Sequence, residues 1–134
     1  VQDLAETILR SDTTVHQDVE DLTVPPSLAM IIGIVINELA TNAAKYAFAD
    51  IESPALYISI RNTRRSTTEQ ARLELLVRDN GPGLPEPIYR DGRFGYGLAM
   101  IQALSREHSG DLEFRGNPIN TVVVTLETPP PRHE

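Results

Sequence analysis

Glu38, Asn42 and Lys45 fall at positions i, i+4 and i+7 of one segment. If that segment is helical, the spacing stacks a carboxylate, an amide and an ammonium along a single face. The oxygens of Glu38 and Asn42 are hard donors suited to Mg²⁺ or a metal-bound water, and Lys45 can meet a phosphate as a point charge. The plainer alternative is a solvated helix face carrying a Glu–Lys pair, although asparagine is a poor interior helix residue. A second set lies at Asp79-Asn80-Gly81-Pro82-Gly83, directly after an apolar run. A carboxylate there can accept a hydrogen bond from an exocyclic amine such as that of adenine, with Gly81 and Gly83 letting the backbone approach a flat base; the same residues also make an ordinary turn. A third set, Gly92-Arg93-Phe94-Gly95-Tyr96-Gly97-Leu98, opens into a helical pattern, where free backbone amides form an anion site. It is not a Walker loop, since no Lys-Ser or Lys-Thr follows. Nor is it a dinucleotide fingerprint, since the preceding segment is loop rather than strand. Metal-binding stripe, amine acceptor and phosphate nest, in that order, are the three parts a nucleotide site needs.

The elements that must hold these residues follow from periodicity. Apolar Val1, Leu4, Ala5, Ile8 and Leu9 predict a short amphipathic helix over Val1 to Arg10. Val15 to Val24 reads as a strand. Pro25-Pro26-Ser27 then stops the chain, and Ser27 is the expected N-cap of a long helix from Leu28 to about Phe48. Its Ile34, Val35, Leu39 and Ala43 would face a sheet. Alternation predicts strands at Ala55 to Arg61 and Leu73 to Val77, paired as a hairpin. Five glycines and three prolines between Asp79 and Gly97 leave only a long loop. Leu98 to His108 is a helix stopped by Gly110, and Leu112 to Phe114 and Thr121 to Leu126 are the last strands. The expected architecture is a two-layer α/β (α+β) sandwich, a mixed, mostly antiparallel sheet with helices on one face.

A chain of 134 residues, 40% hydrophobic and 23% charged, is sized for one domain with a real core. No apolar run approaches the ~20 residues of a membrane span; the longest, Leu28 to Ile36, is interrupted by Gly33. Direct membrane contact is therefore not expected of this domain, and the expected location is cytoplasmic, with a membrane-anchored sensor upstream remaining open if the chain belongs to a longer protein. A net charge of −7 argues against nucleic acid as a partner. Zero cysteines exclude disulfides and thiolate metal sites.

Together the three motifs resemble a known family. Asn37-Glu38-Leu39-Ala40-Thr41-Asn42-Ala43-Ala44-Lys45-Tyr46 is similar to the N box of GHKL (Bergerat-fold) ATPases, Asp79-x-Gly81-x-Gly83 to their G1 box, and Gly95-Tyr96-Gly97-Leu98 to their G2 box. Order and spacing agree from about Val15 onward, and the N-box wording is most similar to bacterial sensor histidine kinases of the HWE-related group. The HWE group proper carries a histidine where Asn37 stands and a Trp-x-Glu near G1, which places this sequence in a sister branch. The stretch between G1 and G2 is too short for the phenylalanine-rich F box of conventional kinases.

The resemblance implies roles. Asn42 would ligate Mg²⁺, with Glu38 beside it as general base or, through water, a further metal partner. Lys45 would approach the phosphates and Tyr46 would line the nucleotide pocket. Asp79 would bind the adenine amino group, Gly81 and Gly83 would shape the base pocket, and Gly95 and Gly97, with Leu98, would form the phosphate-side lid hinge. Arg93, like Arg90, is a lid cation able to reach the triphosphate. The implied activity is transfer of the γ-phosphate of ATP to a histidine in two-component signalling. None of the three histidines suits as acceptor, so it is expected on a domain upstream of Val1. Residues 1–12 would be the junction helix, 13–128 the ATP-binding domain and 129–134 a tail, with the phosphoacceptor domain and a response regulator as partners. An anti-sigma-factor-type serine kinase is the alternative on the same fold. A non-catalytic nucleotide-responsive module would be expected to lose Glu38, Asn42 and Asp79, and the ATPase modules of topoisomerases and mismatch-repair proteins are larger.

Overall fold

A computed structural model describes residues 13–21, 24–44, 52–63, 72–81, 96–116 and 120–128. Five strands form one sheet, β1 (Thr14–Val19), β2 (Ala55–Asn62), β3 (Arg72–Asp79), β4 (Leu112–Arg115) and β5 (Thr121–Glu127), in the spatial order β1-β2-β3-β5-β4. Two helices, α1 (Pro26–Asn42) and α2 (Tyr96–Glu107), complete the described elements. The β1–β2 pair is parallel and the other three pairs are antiparallel. Parallel neighbours need a crossover rather than a hairpin, and the β1-to-β2 segment, which contains α1, supplies it. The expected mixed, mostly antiparallel two-layer sandwich is what the chain forms.

Alternation decides which face is covered. In β2 and β3 every second residue is buried: Leu56, Ile58 and Ile60, then Leu73, Leu75 and Val77. The register sets Ile58 opposite Val77 and Ile60 opposite Leu75, while Leu75 meets Val124 and Leu73 meets Leu126. These side chains form one core with Leu28, Val35, Ile36, Leu39 and Ala40 of α1 and Leu98 and Ile101 of α2. Val35 and Leu39 face inward as expected, whereas Ile34 is 37% exposed, a consequence of its position one residue off the buried stripe. The opposite sheet face carries a polar row. His16 stacks on Tyr57 at 4.7 Å, and the Arg78 guanidinium lies 4.4 Å from the centre of the same ring.

Several boundaries differ from the sequence expectation. β1 ends at Val19 rather than Val24. α1 starts at Pro26 with Pro25 as its cap residue and no side-chain cap bond, so Ser27 is not the N-cap. Proline at the first helical position needs no partner for an N–H it lacks. Ala43 keeps helical dihedrals (φ −60°, ψ −44°), and the expected continuation to Phe48 lies outside the described residues, as do the Val1 to Arg10 helix and the tail. α2 begins two residues early, which brings Gly97 into its first turn. At the other end Ser109, not Gly110, takes the left-handed conformation (φ 58°) that stops the helix.

Gly110 is needed for a different reason. A Cβ there would drive into the Thr125 carbonyl and come within 3.0 Å of the Leu126 nitrogen, so the end of α2 sits directly on the β5 backbone. The Glu127 N–H bond to the His108 carbonyl (2.7 Å) and the Thr125 N–H bond to the Asp111 carbonyl (2.9 Å) fix that approach. Backbone cannot swing aside as a side chain can. Gly110→Ala should cost about 1–3 kcal/mol, read as a lowered thermal midpoint with a single cooperative transition.

Candidate functional site

Asp79 is the last residue of β3 and shares the helix-covered side of the sheet with Val77, two residues before it. Its position is fixed from three directions. Its own N–H donates to the Asn120 carbonyl (3.1 Å), and its Oδ1 accepts from the Gly81 N–H (2.9 Å). The next residue does the fastening. Asn80 accepts the Ala55 N–H at Oδ1 (2.8 Å), donates from Nδ2 to the Ser53 carbonyl (3.1 Å), and donates its backbone N–H to the Ala55 carbonyl (3.2 Å). Ser53 itself holds a left-handed backbone (φ 55°). The Asn80 side chain thus ties the G1 turn to the start of β2, a role its place in an Asp-Asn-Gly run did not reveal, because its partners lie 25 and 27 residues away. Beside it Thr121, opposite Arg78, is buried with its hydroxyl 3.0 Å from Asn120 Oδ1.

Burial raises the Asp79 carboxyl above its ordinary value, and the Gly81 N–H bond pulls the other way.

On α1, Glu38 and Asn42 stand one turn apart, as their spacing required. Both are half-buried. Asn42 Nδ2 is shielded from solvent with no hydrogen-bond partner, and so is Asn37 Oδ1. The cost of burying an unpaired amide is about 1–3 kcal/mol, so such a group marks a place where something else completes the bonding. Thr41 satisfies itself by donating to the Asn37 carbonyl (2.7 Å).

Gly97, in the first turn of α2, lies against the Glu38 side chain: a Cβ on Gly97 would fall 2.7 Å from Glu38 Cδ. The expected N-box and G2-box residues are therefore in contact. Leu98 is 1% exposed; its side chain belongs to the core, which leaves only its backbone for a ligand. Lys45, Tyr46, Gly83, Arg90, Arg93 and Gly95 lie outside the described residues. No cluster of three or more His, Cys, Asp or Glu side chains able to hold a metal exists among the described residues, and no described helix is long and apolar enough to cross a membrane. The open depression lined by His16, Asp18, Tyr57, Ser59, Arg61 and Arg78 lies on the other sheet face and takes no part in this arrangement.

Known proteins resemble this chain in sequence and in fold. The sensor histidine kinase YdfH of Bacillus subtilis is 32% identical over 95 residues, covering 71% of this chain and 21% of that protein. Blue-light-activated histidine kinase 2 of Erythrobacter litoralis is 25% identical over 114 residues, covering 85% of this chain and 32% of its own length. The chain thus spans a fifth to a third of these relatives. Among solved structures, the histidine kinase domain of the Erythrobacter litoralis EL346 blue-light activated kinase superposes with a TM-score of 0.78 at 21% identity, covering 95% of this chain and 57% of the other. The Acinetobacter baumannii histidine kinase AdeS gives 0.64 at 18%, covering 95% and 58%. These two likenesses establish the fold. The sequence profile of the family described as histidine kinase-, DNA gyrase B-, and HSP90-like ATPases matches residues 29–132, which take in most of α1, the glycine-rich segment and the last strand, and the chain belongs to that family.

Proposed function

We propose that this chain is the catalytic domain of a histidine kinase, binding Mg-ATP between α1 and the end of β3 and giving its γ-phosphate to a histidine on a separate helical domain, from which it passes to a response regulator. The observation that carries the reading is the pairing of an unpartnered buried amide at Asn42 with a carboxylate at Glu38 that touches the lid-side helix at Gly97. Asp79 supplies the base-reading end. Both curated relatives are named histidine kinases.

The donor set fits magnesium. Mg²⁺ takes one or two protein oxygens and completes its octahedron with water and phosphate, so it needs no larger cluster. The Asn42 amide can turn its oxygen toward the ion, and Glu38 can hold a metal-bound water. When bound, the ion would neutralise developing charge on the phosphates. Lys45, Arg93 and the amides around Gly95 and Gly97 would hold the triphosphate, with Tyr46, Gly81 and Gly83 shaping the nucleotide pocket. Neither described histidine is placed as acceptor. His16 is stacked on Tyr57 on the far sheet face, and His108 follows the last turn of α2. Residues 1–12 would be the junction to the acceptor domain and 129–134 a tail.

The test is calorimetry followed by transfer. The chain should bind ATP more tightly than GTP, since Asp79 accepts from an amino group and GTP offers a carbonyl there. Radiolabel from the γ-position should then reach a co-incubated histidine-bearing dimerisation domain as an acid-labile adduct. Equal affinity for both nucleotides would remove Asp79 as base reader, and an acid-stable label on a serine would overturn the acceptor assignment.

A further inference from the structure

Gly97 lies in the first turn of α2 without a left-handed backbone, so its φ and ψ would admit any residue, and alanine would improve the helix. A lid hinge needs glycine for backbone freedom, but nothing in the backbone here calls for it. What glycine provides is room. The space a Cβ would take is filled by the Glu38 carboxylate, reaching across from α1.

We propose that Gly97 is a positioning residue: it leaves a notch in α2 that seats the Glu38 carboxylate, so that the stance of the lid-side helix sets the aim of Glu38 toward the metal and phosphates. This rests on the proposed Mg-ATP site, whose Glu38 it explains. α1 is fixed to the sheet through Val35, Ile36 and Leu39, all at most 3% exposed, and α2 through Leu98 and Ile101. Glu38 is the long side chain that bridges the two helices at the end nearest the glycine loop. Shifting α2 along α1 would close the notch and push the carboxylate aside. Asn42, one turn on, would keep its place while Glu38 beside it lost its aim.

The obstacle is the far end of a flexible side chain, not backbone. Gly97→Ala should therefore fold normally with Glu38 rotated away, unlike Gly110→Ala. That makes a double-mutant cycle decisive. Aspartate at position 38 is one methylene shorter and withdraws its carboxylate from the notch. We expect Gly97→Ala to weaken Mg-ATP binding about tenfold when Glu38 is present and by less than about twofold when Glu38 is already Asp, an interaction between contacting sites that separate mutations lack. In the nucleotide-free chain, Gly97→Ala should raise the thermal midpoint more in the Asp background than in the Glu background, a readout that survives even if Glu38→Asp abolishes nucleotide binding. An equal loss of affinity from Gly97→Ala in both backgrounds, or equal midpoint shifts where affinity cannot be measured, would assign Gly97 to hinge motion or phosphate approach and overturn the notch. Failure of the unmodified chain to bind Mg-ATP would instead count against the proposed function, leaving the midpoint cycle to decide the contact.

Discussion

Asp79→Asn should lose adenine nucleotide binding by roughly 30- to 150-fold, the equivalent of about 2–3 kcal/mol for a hydrogen bond to a charged acceptor, and yet unfold at the same or a higher temperature near neutral pH. The two halves of that result have one cause. One carboxylate oxygen is engaged by the Gly81 N–H. An asparagine there keeps that bond with its amide oxygen and must then turn its NH₂ toward the ligand, so donor meets donor at the adenine amine. Meanwhile burial holds the Asp79 carboxyl above its unfolded value, which means that the folded chain binds the proton more tightly than the unfolded one. Stability from that group is complete below the ordinary carboxylate range and is lost as pH rises through the raised value. At neutral pH the ionised, partly desolvated Asp79 therefore costs the fold, and asparagine removes the cost. Thermal midpoints of the two proteins, followed from acid to neutral pH, should converge at the acid end and separate in favour of the variant above the Asp79 titration. ATP affinity of the unmodified chain should fall over the same interval on acidification, because a protonated oxygen no longer accepts. A variant that binds ATP undiminished would remove Asp79 from the base-reading role, and one destabilised at neutral pH would show that the ionised carboxylate does not cost the fold.

Local periodicity gave away the parts of this fold that alternate or repeat. Leu56, Ile58 and Ile60, and Leu73, Leu75 and Val77, alternate so regularly that the hairpin and its buried face follow from the sequence. The Glu38–Asn42 spacing likewise fixed their shared helix face. Features set by distant partners were not legible. Asn80 looks like a turn residue until Ser53 and Ala55 are brought beside it. Gly110 reads as a helix stop, and Ser109 takes that conformation instead because Gly110 is spent on the approach to Thr125. Gly97 reads as loop because glycine is rare in helices, and the reason for its presence, the Glu38 side chain, lies 59 residues earlier in the chain. Ser27 has the right chemistry for a cap, yet Pro25 and Pro26 start the helix before it. Sequence reasoning fails at the site's edges because the site is where local preference yields to a non-local contact.

The same logic separates structure from function at Asn42. Its amide nitrogen is buried without a partner, an arrangement that costs the free protein about 1–3 kcal/mol and contributes nothing to the core. Asparagine is also several tenths of a kcal/mol worse than alanine inside a helix. Asn42→Ala should accordingly raise the thermal midpoint, against the usual direction for a half-buried substitution. If the unpaired amide exists to hold a metal, the same change should reduce Mg-dependent ATP affinity by about 100-fold, the upper end of what losing an interaction at a metal centre costs. Metal-free nucleotide, read through Asp79, should bind nearly as before. Asn42→Asp keeps a hard oxygen on the same rotamers and should retain the magnesium dependence that alanine loses. Calorimetric titrations with and without Mg²⁺ on the three proteins distinguish the cases. If alanine lowers the midpoint and leaves the magnesium effect intact, Asn42 is an ordinary helix residue with a fold role. If alanine stabilises the chain and uncouples nucleotide from metal, Asn42 serves the ligand and is retained against its cost to the fold.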